Sequence, residues 1–410
     1  SETLEEQKKE QFLDSNAKVI EQFKLKADKS EESSDWINAI KYRRKILTLT
    51  KQKYGLKHGE TASALNALGF LHNALGEYEK AEVFFKQSLE ISIKVSGLEN
   101  IETVQYLNNL GSIYETLGKY EKAEPLLRQS LEISKNVFGL EHPDTASILN
   151  NLGSLYQSLS EYEKAEPLYK ESLEIRKRVL GLEHPDTALS FNNLGMLYYA
   201  VAEYDRAEPL LRQSLEIRKS VFGLEHPETA QALNNLAGLF EVIGEYEKAE
   251  PLYRESLEIT KNIFGTDSLE TSHTLNNLGL LYLSLGEYEK VEPLLKQSLE
   301  ITKKVFGLEH PETANSFNNL GMLYKSLGQY EKVEPLYSKS LEIKKKVFGL
   351  EHPDTALSLN NLGGLYENLG QYKKAEPLLR QSLEITKNIF GLEHPDTASL
   401  LSNLGILYSS

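Results

Sequence analysis

Six histidines stand in one recurring phrase, Glu-His-Pro, at His142, His184, His226, His310, His352 and His394. Histidine ligates metals and titrates near neutral pH, so such a row raises two chemistries, a metal centre and a pH-sensitive edge. The spacing argues against both. Consecutive members lie 42 or 84 residues apart, which puts each on a different structural unit. Packed helices sit ~8–10 Å apart, whereas zinc ligands must converge to ~2.0–2.1 Å from one ion. The phrase reads instead as a helix start. Proline suits the first turn, where a missing N–H costs nothing, and the acidic residue after it favours the positive helix N-terminus. The carboxylates are spread along the chain in the same way and form no acid/base pair. The glycines sit in Leu-Gly pairs rather than in a phosphate loop. The chain contains no cysteine, which removes thiolate metal sites, disulfides and cysteine nucleophiles. The expectation is a protein with no catalytic residues, no metal and no cofactor.

The elements that carry these residues follow from a repeat. Leu-Gly recurs at Gly69, Gly111, Gly153, Gly195, Gly279, Gly321, Gly363 and Gly405, with Ala237 in the ninth place, and every step is 42 residues. Tyrosines keep the same period from Tyr78 to Tyr372, and all 13 prolines fall in His-Pro or Glu-Pro. Within one period, Ala146, Leu149, Leu152, Gly153 and Tyr156 make an apolar stripe at three- and four-residue spacing, the mark of an amphipathic helix. Tyr162, Ala165, Leu168, Tyr169 and Leu173 make a second, and Gly181 closes it. A single hairpin cannot bury both stripes, so neighbours must stack.

Eight complete repeats span 62–397. Residues 1–61 read as a degenerate N-terminal capping repeat, with helices expected over 3–29 (through Phe12, Val19, Ile20 and Phe23) and 35–55, separated by a polar loop from Lys29 to Ser34. Residues 398–410 read as the first helix of a truncated ninth repeat, left with its apolar face bare. The fold class is therefore all-α, a solenoid of stacked antiparallel helix hairpins, with helix content expected near 75–80% against a globular norm of ~30–35%. The prolines of Glu-Pro lie several residues into the second helix and should delay its start or bend it slightly. Leu127, Tyr169, Leu211, Tyr253, Leu295, Tyr337 and Leu379 alternate strictly. Duplication of repeat pairs and interlocking across repeats both account for that.

Small residues and aromatics at these offsets resemble the tetratricopeptide repeat. The 42-residue period and the phrases Leu-Asn-Asn-Leu-Gly, Tyr-Glu-Lys-Ala-Glu-Pro-Leu and Gly-Leu-Glu-His-Pro-Asp-Thr-Ala are similar to its kinesin-light-chain type. The resemblance implies a right-handed superhelix whose first helices line a concave groove, and a protein- or peptide-binding role. It covers residues 35–410.

On the first helix, positions six, three and two residues before the Leu-Gly glycine, and one, four and five after it, share the face opposite the apolar stripe. Two asparagine rows run along it, one including Asn150, Asn192, Asn234, Asn276 and Asn318, the other Asn193, Asn235, Asn277 and Asn319. Asparagine is a mediocre helix former, and its amide can hold a peptide backbone. Bonding of one row to the adjacent helix accounts for it equally well. By resemblance to the kinesin-light-chain type, groove asparagines contact a cargo peptide. Apolar residues cluster on this face at Leu189, Met196 and Tyr199 and again at Leu280, Leu283 and Met322. The charges four residues after the glycine are Glu115, Glu241, Glu367 and Lys325, which disfavours an acidic ligand. The expected function is a non-enzymatic scaffold, the sensor or adaptor region of a larger protein, that binds a partner segment in the groove. The alternative is a structural module that self-associates through its uncapped C-terminal helix.

Lys and Arg total 46 against 60 Asp and Glu, a net charge of -14. That balance argues against nucleic acid and against an anionic membrane surface. No apolar run approaches the ~20 residues of a membrane span, and the charged opening Ser1-Glu2-Thr3 does not read as a signal peptide. A cytoplasmic location is the expectation.

Overall fold

The computed structural model describes residues 2–32 and 35–409, with side chains for 16–31 and 35–408. These residues form nineteen helices and no strand, and 84% of the chain is helical. The helices pair into antiparallel hairpins, and within each unit successive hairpins pack on one another. Two compact units emerge, residues 1–151 and 152–410.

The hairpin of Pro227–Val242 and Tyr246–Phe264 shows how the sequence builds each repeat. His226 caps the first helix: its Nδ1 accepts the Glu228 N–H at 3.2 Å, and its ring stacks on Phe222 at 4.3 Å. Thr229 Oγ1 donates to the Gly223 carbonyl at 2.8 Å and ties the incoming loop to the helix. Ala230, Leu233, Leu236, Ala237 and Phe240 are buried, as are Ala249, Tyr253, Ser256 and Leu257 on the second helix. His184, His310, His352 and His394 repeat the cap, and His142 Nδ1 accepts the Asp144 N–H at 3.2 Å. The histidine phrase therefore starts helices. Among the described residues, no three His, Asp or Glu side chains converge as a metal site.

The prolines do not delay the second helix. Tyr120–Val137, which contains Pro125, starts at the same phase as Tyr78–Ser96, which has Val83 there. Proline's fixed φ is already helical. Both kinds of helix close their first turn with the same four-residue bond, Ala81 N–H to the Glu77 carbonyl and Ala123 N–H to the Lys119 carbonyl, each at 3.1 Å; the proline helices add a three-residue bond, Lys122 N–H to the Lys119 carbonyl at 3.0 Å. Helix content exceeds the expected 75–80% for this reason, and because the first helix, Glu2–Glu32, runs on through most of the expected Lys29–Ser34 loop. Ser33, Ser34 and the Phe12 side chain lie outside the described residues. Ile20 and Ala27 of that helix pack with Ile46 and Ala64, joined by Phe23 and Tyr42.

The Leu-Gly glycine is needed for close approach. A methyl on Gly279 would sit 2.9 Å from Leu295 Cδ2, and one on Gly321 would sit 2.5 Å from the Tyr337 ring. The alternating Leu and Tyr thus pack on the glycine of their own hairpin. Tyr169 and Tyr253 also donate to Gln157 and Glu241 of their own first helices, each at 3.0 Å. The alternation is internal to each repeat, and no interlock across repeats is needed.

Between the two helices of a hairpin the chain turns through a left-handed residue, such as Gly244 at φ 81°. Ser160 and Ala202 occupy the same position at φ 58° and 60°. A β-carbon there costs roughly 1–2 kcal/mol. Ala202→Gly should therefore stabilise the chain by about 1 kcal/mol, read as an upward shift of the thermal midpoint. An unchanged or lower midpoint would show that the turn carries no strain.

Candidate partner-binding groove

The first helices of the second unit, Pro185–Ala200, Pro227–Val242, Leu269–Ser284 and Pro311–Ser326, touch one another directly as well as their own second helices. Their non-packing sides form one continuous face. Fourteen of the fifteen candidates lie in this unit; Asn150 alone belongs to the first.

The two asparagine rows bond to each other. Asn235 Nδ2 donates to Asn192 Oδ1 of the preceding helix at 2.7 Å, Asn319 to Asn276 at 2.8 Å and Asn361 to Asn318 at 2.8 Å. The first unit repeats this, with Asn109 to Asn66 at 3.0 Å and Asn151 to Asn108 at 3.1 Å. Each rung uses half of each amide. Asn276 keeps its NH2 group uncommitted and Asn319 keeps its carbonyl, so the rows both clamp neighbouring helices and retain groups for a ligand. Other first-row amides are engaged within the array: Asn192 is only 8% exposed and its NH2 reaches Asn193 at 3.3 Å, and the Asn318 NH2 turns to Met322 Sδ at 3.7 Å.

Among the described residues the ladder lacks its rung between Asn360 and Asn403, and it also breaks inside the array, at Asn234. Asn234 Nδ2 turns to Thr274 Oγ1 at 3.1 Å, and its Oδ1 is buried without a hydrogen-bond partner. At this break the face opens into a recess of about 530 Å³. Asn234, Asn235, Asn276, Asn277, Asn318 and Asn319 line it together with Gln231, His273, Glu312 and Asn315, and Ser298 and Thr302 of the second helix lie at its floor. The sequence analysis named the asparagines but missed Glu312, Ser298 and Thr302.

The apolar candidates flank the recess. Met322 is 39% exposed, while Met196, Leu280, Leu283, Tyr199 and Lys325 are half-buried on the same face. Tyr199 leans on Tyr204, with ring centroids 6.3 Å apart. Burial pushes its phenol above the usual range, with Glu241 nearby adding to the shift. Burial also raises the Glu241 carboxyl, against the hydrogen bonds donated by Tyr253 and Ser284. Glu312 goes the other way: the hydrogen bond from His273 Nε2, at 3.1 Å, holds its carboxyl below the usual range and so keeps it negative. The face thus carries amides, aliphatic and aromatic surface, and carboxylate charge. Among the described residues, no helix is long and apolar enough to cross a membrane.

No curated protein matches the chain in sequence. Among solved structures, a Rap protein complexed with competence and sporulation factor is 15% identical, with a TM-score of 0.54 over 83% of this chain and 98% of its own. The apo form of the quorum sensor NprR from B. thuringiensis is 15% identical, with a TM-score of 0.55 over 88% of this chain and 99% of its own. BtubC (BKLC) from P. vanneervenii is 24% identical, with a TM-score of 0.45 over 58% of this chain and 92% of its own. The sequence profile of the tetratricopeptide repeat matches in overlapping stretches, 31–94, 100–178, 144–220, 186–262, 228–304, 285–346, 312–388 and 354–410. With its hairpins built on that period from end to end, the chain belongs to the tetratricopeptide-repeat family.

Proposed function

We propose that this chain is a non-enzymatic scaffold whose first-helix face in the second unit holds an extended partner segment, as the sensor or adaptor region of a larger protein. One observation carries the reading: the ladder break at Asn234 coincides with an open recess, and the uncommitted NH2 of Asn276, the free carbonyl of Asn319 and the exposed Met322 side chain lie beside it. An extended segment advances ~3.3 Å per residue, so about three residues span one repeat at the ~8–10 Å spacing of packed helices. Asn234, Asn276 and Asn318 are placed to meet its backbone, and Met196, Tyr199, Leu280, Leu283 and Met322 to take its apolar side chains. The fold is used for ligand capture elsewhere: the Rap protein is solved with its competence and sporulation factor bound.

The test is placement of a photo-crosslinking residue at Leu280 or, on the far side of the array, at Arg212. Arg212 lies on a second helix, ion-paired to Glu208 at 2.8 Å. The Leu280 probe should capture the partner and the Arg212 probe should not. Capture from Arg212 alone would move the binding surface to the second helices.

A further inference from the structure

The recess has counterparts that the chain fills for itself. Its floor residue Thr302 occupies a second-helix position that recurs as Thr50, Ser92, Ser134, Arg176, Arg218, Thr260, Thr302, Lys344 and Thr386. Wherever a long cation stands there, it is drawn inside the array. Arg218 is 1% exposed, and its Nη1 donates to the Glu228 carbonyl at 3.0 Å and to Gln231 Oε1 at 3.1 Å, with the Glu228 carboxylate 3.3 Å away. Buried Lys344 donates to Asp354 Oδ2 at 3.1 Å. Buried Arg176 donates to the Asp186 carbonyl at 3.0 Å and to Ser190 Oγ at 2.9 Å. The acidic residue in the first turn of the following helix anchors all three, and a polar side chain three or four residues further on joins it for Arg218 and Arg176.

Position 302 has the anchors and lacks the cation. Glu312 stands where Glu228 stands for Arg218, Asn315 stands where Gln231 stands, and both line the recess. Thr302 is too short to reach them; its hydroxyl turns to the Leu299 carbonyl at 3.0 Å and to Ser316 Oγ at 3.3 Å. Among the described residues, the Glu312 carboxylate has one hydrogen-bond partner, His273. One repeat earlier, Thr260 likewise stands in for the cation, and there Glu270 Oε2 is buried without any hydrogen-bond partner. Two successive repeats thus lack the cation that their neighbours on both sides possess, and the open volume lies over the second of them, at Thr302.

We propose that the recess over Thr302 receives a cationic side chain, an arginine or lysine of an extended partner segment, which pairs with Glu312 and Asn315 as Arg218 pairs with Glu228 and Gln231. The proposal rests on the groove reading above and names the chemistry of its occupant. The volume, about 530 Å³, falls within the ~300–1,000 Å³ of ordinary ligand pockets. A guanidinium suits it best, because a planar fork can meet a carboxylate and an amide carbonyl together. An acidic side chain would face Glu312 and be rejected.

The test starts by selecting binders to the full chain from a phage-displayed library of short random peptides, then measuring synthetic copies by fluorescence anisotropy. The selected peptides should share an arginine or lysine. Replacing that residue with uncharged citrulline or norleucine should weaken binding about tenfold or more. Thr302→Arg, which supplies the cation from within, should weaken binding to a similar degree while keeping or raising the thermal midpoint. Glu312→Gln should also weaken it and serves as a second variant should Thr302→Arg fold poorly. Peptides that are weakened by Met322→Ala but indifferent to Thr302→Arg and Glu312→Gln would overturn this inference and leave the groove reading standing. Peptides indifferent to all three, or no binders at all, would overturn both.

Discussion

Replacing Arg218 with alanine is expected to cost about 2–3 kcal/mol of stability, and replacing it with methionine well under half of that. The side chain is 1% exposed and lies among the largest fully buried groups of the chain. Truncation removes its aliphatic stem from a packed site and leaves a cavity. It also strips the Glu228 carbonyl and Gln231 Oε1 of a donor. The Glu228 carboxylate is 46% exposed at its side chain, so it stays hydrated when the cation leaves, which holds the figure below the cost of stranding a buried charge. The guanidinium gains little from its charge: burial pushes its pKa down, against the pull of Glu228, and its Nε has no hydrogen-bond partner. Methionine keeps the volume without a charge to desolvate, and a thioether adapts to irregular space. Urea unfolding of the two variants decides the matter. If methionine costs as much as alanine, the polar bonds rather than the packing hold this site. Because each hairpin contacts only its neighbours, the loss should be local and should broaden the transition as well as shift it.

The fold was legible because one constraint repeats. Leu-Gly every 42 residues requires close approach, and the structure puts the Leu or Tyr of the partner helix directly over that glycine. The histidine phrase was legible as a helix start but not as a cap. The stacking of four of these imidazoles on the phenylalanine four residues upstream, as with Phe306 and His310 at 3.8 Å, shows only once the loop is folded. The expectation that the Glu-Pro prolines delay the second helix was wrong: helices with and without the proline start at the same phase.

The candidate site was less legible, for two physical reasons. The asparagine ladder joins residues 43 apart, one more than the repeat, so its partners sit in different rows and no single-phase alignment pairs them. The recess is defined by what is missing. Thr260 and Thr302 look unremarkable within their own repeats and become informative only beside Arg176, Arg218 and Lys344. That comparison was available in the sequence. It is hard to see there because the second helix carries mostly core positions, and a cation drawn inward from it looks, in sequence, like one exposed to solvent.

Tyr199→Ala should weaken binding of the partner segment roughly 30-fold. Tyr199 is half-buried on the first-helix face, beside Met196 on its own helix and leaning on Tyr204. A partner covering it would remove the rest of its ring from water, the setting in which one aromatic can dominate an interface at ~2 kcal/mol or more. Among the described residues its hydroxyl makes no hydrogen bond, and the ring contact with Tyr204 spans 6.3 Å, so the folded chain should lose little helicity without it. Binding should respond only weakly to salt. The amides and apolar groups of the face carry no charge to screen, and the Glu312 carboxylate lies within a recess, where ion pairs are screened far less than at an open surface. The measurement is a titration of wild type and Tyr199→Ala at two salt concentrations, with thermal melts as a folding control and Arg212→Glu as the variant on the far side. Normal binding by Tyr199→Ala, together with loss of binding by Arg212→Glu, would move the partner to the second helices. A steep fall with salt in the wild type would mean that exposed charges carry the affinity, leaving the apolar clusters at Met196, Leu280, Leu283 and Met322 with no part in it.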